Sequence, residues 1–166
     1  HRADTVVPFV REESTIVDAV LEDKAAFPLS PMACAILLLL VTCGITIWGM
    51  LKGNVMWIWG VFLFALQGIG GCIIAFLFFF SVHPTVGSNW LLLFLNPIPL
   101  CYLPVMIYRC IKRQKDPYHW YNTVCLTSFI ILMPLLPQEF NATVLPLALI
   151  LLFTSIGHLY LYRKHS

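Results

Sequence analysis

SVHPTVGSNWLLLFLNPIPL, residues 81–100, poses the problem that the fold must solve. It opens as a short polar loop with one histidine, His83, and no charged side chain. It then becomes an apolar run interrupted by Asn96, Pro97 and Pro99. A proline has no N–H, so inside a helix it leaves a carbonyl unpaired. In lipid such an interruption is tolerated only where protein or water satisfies the backbone again. The stretch therefore reads as the start of a broken helix, with Asn96 facing the interior of a bundle and donating to a carbonyl freed by the prolines.

Working outward, almost everything on either side is apolar. Of 166 residues, 60% are hydrophobic and 11% charged, and the mean hydropathy is +0.85. A soluble domain carries about 25% charged residues. The composition excludes an ordinary soluble fold, which would expose too much apolar surface, and predicts an all-α polytopic membrane protein. Five spans are expected, at about 31–51, 55–80, 90–108, 119–136 and 142–162. The first has twenty-one residues, about 31 Å of helix, which matches a hydrocarbon core of ~30 Å. Ser30 suits its N-cap and Pro31 its first position; Lys52, Gly53 and Asn54 turn the chain. Residues 1–30 differ from the rest. They hold Asp4, Glu12, Glu13, Asp18, Glu22 and Asp23, six of the eight acids. They read as a solvated linker, with residues 14–21 free to form helix or strand. Because the first residue is His1, an upstream domain with its own export signal is expected.

Charge distribution gives an orientation. Lys52, Arg109, Lys112, Arg113, Lys115, Arg163 and Lys164 fall on one side of the expected spans. The loops 81–89 and 137–141 on the other side contain no lysine or arginine. The positive-inside rule then puts the N-terminus outside and residues 163–166 in the cytoplasm.

No Gly-rich phosphate loop, His-Glu-x-x-His or Gly-x-Ser-x-Gly motif is present. Nothing calls for a metal, a cofactor or a nucleic acid. Cys34, Cys43, Cys72, Cys101, Cys110 and Cys125 lie in or beside apolar runs without Cys-x-x-Cys spacing, and read as small packing residues. Gln67 falls mid-span and is expected to hydrogen-bond another helix. Gly71 and Ala75 form a small-xxx-small pair suited to close helix approach. His119, in a Tyr-His-Trp-Tyr belt, and His165 read as interfacial residues. Asn141 suits a cap for the last span, and Asn141-Ala142-Thr143 matches a glycosylation pattern too close to the bilayer to be modified readily. The spans lack the ionisable residues of a transporter and the paired acids of an intramembrane protease.

The loop at 81–89 supports two readings. In one, His83-Pro84 is a turn, Ser88 or Asn89 caps the next helix, and Trp90 anchors it at the interface. In the other, His83 is an acid/base or phosphate-contacting group at the outer headgroup level. His83, Asn89, Trp90, Asn96 and Glu139 would then rim a lipid and substrate cleft. The sequence leaves both open.

His83-Pro84, Asn89, then an apolar run into Asn96-Pro97, between the second and third of five spans, resembles the C-terminal transmembrane domain of the Lnb (DUF4105-type) family of bacterial lipoprotein N-acyltransferases. The resemblance covers residues 30–162. It implies transfer of an acyl chain from a phospholipid to the α-amino group of a lipidated N-terminal cysteine, at the periplasmic face of the inner membrane. It implies phospholipid and lipoprotein as partners, together with membrane lipids and an upstream periplasmic domain of the same chain. Thiol chemistry would belong to that domain, so this stretch alone is expected to be inactive. Only His83, Asn89 and Asn96 match the motif, and no nucleophile is carried over. The rival expectation is a non-catalytic anchor or assembly module for a periplasmic domain.

Overall fold

The computed structural model describes residues 29–54, 56–80 and 89–164. Among these residues every regular element is helical. The possible helix or strand at 14–21 and His165 lie outside the described residues.

Helix α1 spans Pro31–Lys52. The Ser30 hydroxyl accepts the Ala33 N–H at 3.1 Å, so the expected N-cap forms, with Pro31 behind it. The helix ends because Gly53 turns left-handed at φ 65°. That lets the Gly53 and Asn54 N–H groups reach the Met50 and Gly49 carbonyls. Helix α2 spans Trp57–Phe80.

The interrupted third stretch is two helices, α3 at Leu91–Phe94 and α4 at Ile98–Ile111. Pro97 precedes α4 and Pro99 lies in its first turn, where a missing N–H leaves nothing unpaired. Pro104 stays inside the helix.

Helix α5 spans Pro117–Leu132. Asp116 caps it by accepting the Tyr118 N–H at 2.9 Å. The regular helix stops short of the expected end at 136. Pro134 falls in a 3₁₀ turn, Met133–Leu135, and cannot donate to the preceding turn. Helix α6, Val144–Lys164, follows Asn141, whose side chain accepts the Thr143 N–H at 3.0 Å.

Among the described residues four stretches are long and apolar enough to cross a membrane: Pro31–Lys52, Trp57–Phe80, Leu91–Ile111 and Val144–Arg163. The 16 residues of α5 rise only about 24 Å, less than a typical ~30 Å hydrocarbon core. Helix α5 differs in character too, because the first half of its inner face, Tyr118, His119 and Asn122, is polar, before Leu126 and Phe129.

Helix α6 is the axis of the bundle. Of its apolar stretch 56% is buried, against 17% for α1 and 28% for α2. Helices α1 and α5 pack along it, α2 packs mainly on α4, and α3 lies on α5. The α5–α6 seam uses His119, Asn122, Leu126 and Phe129 against Ala148, Leu151, Ser155, His158 and Tyr162, all buried. Steps of three and four residues place each set on one helix face. The other faces turn outward: Leu51, Phe79 and Phe80 are among many exposed large apolar side chains, as lipid-facing surfaces require.

Helix α2 approaches the break in the third stretch through glycines. A Cβ on Gly68 would stand 2.7 Å from Leu100 Cβ, and one on Gly71 would overlap the Asn96 carbonyl. Gly71 of the expected small-residue pair thus makes a close approach, Gly68 joins it, and both face the interrupted third stretch.

Candidate functional site

At the end of the bundle opposite Lys52 and Arg163, two loops are tied together. Asn89 Oδ1, one residue before the α3 N-cap Trp90, accepts the Leu91 N–H at 3.1 Å. The same oxygen accepts Gln138 Nε2–H at 3.2 Å, while Gln138 Oε1 accepts the Trp90 N–H at 2.9 Å. Gln138 thus clamps the α5–α6 loop to the entrance of α3. Trp90 is 40% exposed. Glu139, beside the clamp, is exposed. His83 lies outside the described residues. Of the five expected rim residues, Asn89 and Trp90 therefore meet at one clamp, Glu139 flanks it, and Asn96 sits apart and deeper.

Asn96 occupies the gap between α3 and α4, against Gly71, and is 7% exposed. It faces the bundle as expected. The expected hydrogen bond is not made: among the described residues neither Asn96 Oδ1 nor Nδ2 has a partner. The task passes to Gln67. In an unbroken helix the Phe94 carbonyl would accept the Ile98 N–H; here it accepts Gln67 Nε2–H at 2.9 Å. Gln67 Nε2 also donates to Asn122 Oδ1 at 3.1 Å, and Asn122 Nδ2 donates to Ser155 Oγ at 3.1 Å. The Tyr118 hydroxyl lies 3.4 Å from Gln67 Oε1. One polar thread therefore joins the helix break to α2, α5 and α6. The expectation for Gln67 is met; Asn122 and Ser155 are residues that the sequence reading missed.

His119 corrects another expectation. It is fully buried rather than interfacial, and its ring lies against that of His158, tilted by 37° with centroids 4.1 Å apart. In the Tyr-His-Trp-Tyr belt only Trp120 and Tyr121 are exposed; Tyr118 and His119 turn inward onto Phe64 and α6. A helical repeat divides four consecutive residues between two faces, so a contiguous belt cannot remain wholly outside. Among the described residues neither nitrogen of His119, nor Nδ1 of His158, has a hydrogen-bond partner. The cysteines are also less uniform than expected. Cys34, Cys72 and Cys101 are exposed on outer faces, and Cys110 is buried.

These features define a class: a multi-pass helical membrane domain with a broken third stretch and a neutral polar seam. The family model of the five-helix Lnb transmembrane domain matches residues 22–165. The chain belongs to that family. Comparison with curated proteins and with solved structures gives no match.

Proposed function

We propose that this chain is the membrane domain of an envelope lipoprotein N-acyltransferase. It positions a phospholipid acyl donor and a lipoprotein at the outer face of the bacterial inner membrane. Such a reaction joins two membrane-held substrates, so holding both in one place makes the encounter effectively intramolecular. In this reading the chain crosses the membrane five times. Helix α5 is completed by its 3₁₀ turn, the Asn89–Gln138 end is periplasmic, and the end bearing Lys52, Arg109, Lys112, Arg113, Lys115 and Arg163 is cytoplasmic.

The observation that supports this role, beyond family membership, is Asn96. An amide buried without a hydrogen bond costs about 1–3 kcal/mol, and here it does not hold the helix break together, because Gln67 does. An amide at that depth offers its Nδ2–H to an ester carbonyl, and its Oδ1 to an N–H, entering below the Asn89–Gln138 clamp.

The test uses the full-length parent in cells. Its gene is deleted, and lipoprotein N-termini are read by mass spectrometry with and without complementation. N-acylation is expected to vanish on deletion and to fall with Asn96→Leu at matched protein level. Unchanged N-acylation in the deletion strain would falsify the acyltransferase reading. The rival reading, a non-catalytic anchor, draws on Asn89 Oδ1 and the Trp90 N–H, both already used structurally. It predicts full activity when another membrane anchor replaces this domain.

A further inference from the structure

We propose that the basic end of the bundle holds an anionic phospholipid, with its phosphate beside Arg113 and an acyl chain on the outer face of α1 and α2. This site lies at the opposite end from Asn89 and Gln138 and does not depend on the acyltransferase reading.

Two adjoining cavities carry the argument. One, of about 600 Å³, is lined by Asn54, Trp57, Cys110, Arg113 and Tyr162 among others. The other, of about 650 Å³, is lined mainly by apolar side chains, including Ile45, Met56, Ile58 and Phe62. Asn54 and Trp57 line both. A polar chamber thus opens beside an apolar groove, with an indole at the boundary where indoles favour the membrane interface. This is the chemical profile of a lipid, a charged head joined to a hydrocarbon tail.

Charge specifies the head. Lys52, Arg109, Lys112, Arg113, Lys115 and Arg163 belong to this end. Its one acid among the described residues, Asp116, is 3% exposed and caps α5. Basic pockets between transmembrane helices suit anionic headgroups, and a guanidinium recognises phosphate oxygens in a two-pronged geometry.

The backbone singles out Arg113. Helices α1 and α4 end in the same arrangement. Gly53 N–H bonds the Met50 carbonyl and Asn54 N–H that of Gly49; Arg113 N–H bonds the Cys110 carbonyl and Gln114 N–H that of Arg109. Each motif requires a left-handed residue. In α1 that residue is glycine at φ 65°, whereas in α4 it is Arg113 at φ 54°. A strained arginine stands where glycine would fit without strain, and its side chain lines the polar chamber. Strain of this kind persists where a side chain is needed.

Native mass spectrometry of the detergent-purified chain tests the proposal, with phosphatidylglycerol, phosphatidylcholine of the same chains, and inorganic phosphate as probes. One phosphatidylglycerol should be retained in preference to phosphatidylcholine, with affinity falling about tenfold in Arg113→Gly as a charge-assisted contact is lost. Phe62→Ala should weaken binding independently, through the groove. Arg113→Gly relieves strain, so its thermal midpoint should hold or rise, and loss of binding would not reflect unfolding. Equal retention of both lipids, or affinity unchanged in both variants, overturns the proposal. Competition by inorganic phosphate together with indifference to Phe62→Ala would instead indicate a free-phosphate site, and that also overturns it.

Discussion

Gln67→Leu tests whether the break in the third stretch is held by a side chain from α2. Leucine conserves apolar bulk but removes both donations from Nε2, to the Phe94 carbonyl at 2.9 Å and to Asn122 Oδ1 at 3.1 Å. Gln67 is 2% exposed, so neither stranded acceptor can turn to bulk water. Interhelical hydrogen bonds in membrane proteins contribute about 0.6 kcal/mol on average and up to ~1.7 kcal/mol, and a buried acceptor left unpaired costs about 1–3 kcal/mol. Two such acceptors give an expected loss of about 2 kcal/mol, roughly thirtyfold in the folding equilibrium. Reversible unfolding in mixed detergent–SDS micelles measures it. Adding Asn122→Leu removes one of the stranded acceptors, because replacing both partners by apolar groups is close to neutral. Ser155 then keeps the option of donating to the carbonyl four residues earlier in α6. The double variant should therefore recover part of the loss, the remainder being the Phe94 carbonyl. A single-variant loss below about 0.5 kcal/mol, or a double variant worse than the sum of the singles, would refute the reasoning.

Three further perturbations separate close packing, capping and loop clamping. Gly71→Ala forces a methyl group into the Asn96 carbonyl and should cost about 1–3 kcal/mol. Gly44→Ala, with nothing within 4 Å of the added carbon, should stabilise by about 0.5–1 kcal/mol; equal effects in the same unfolding assay would contradict the packing described. Asp116→Ala removes the α5 cap and should lower stability by about 1 kcal/mol, an effect that Asp116→Ser should largely spare. Gln138→Ala frees Asn89 and the Trp90 N–H from the neighbouring loop. It should leave global stability within about 1 kcal/mol while speeding protease cleavage at 133–143, and unchanged cleavage would mean that the clamp does not hold the loop.

The helical, multi-pass character was legible because membrane lipid imposes one rule on every segment: long apolar runs and no unpaired backbone. Ser30-Pro31, Lys52-Gly53-Asn54 and the prolines that follow Asn96, Pro97 and Pro99, all act locally. Their consequences for the cap, the turn and the break could therefore be read in order along the chain. What a linear reading could not supply was the face each residue of α5 presents. Tyr118-His119-Trp120-Tyr121 looks like an interfacial belt because aromatics adjoin a basic turn. Only knowledge that α6 and α2 lie against one side of α5 shows that Tyr118, His119 and Asn122 belong to the interior.

The same dependence on tertiary neighbours explains the exchange of roles between Gln67 and Asn96. The sequence places Asn96 next to the prolines, so proximity assigns it the freed carbonyl. The fold instead brings in a residue 27 positions away in the chain, because Gly68 and Gly71 let α2 approach the break closely enough for Gln67 to reach it. Once Gln67 satisfies Phe94, close packing of Gly71 on the Asn96 backbone leaves the Asn96 amide enclosed and without a hydrogen-bond partner among the described residues. A small residue at 71 and a long amide at 67 are therefore one device, and Asn96 is released by it. That coupling has a consequence that neither residue has alone. Enlarging residue 71 should disturb the Gln67–Phe94 bond and the Asn96 amide together. Gly71→Ala and Gln67→Leu should accordingly be less than additive in stability, since residues sharing one backbone shift couple; strict additivity would mean that α2 approach and the polar bond are independent.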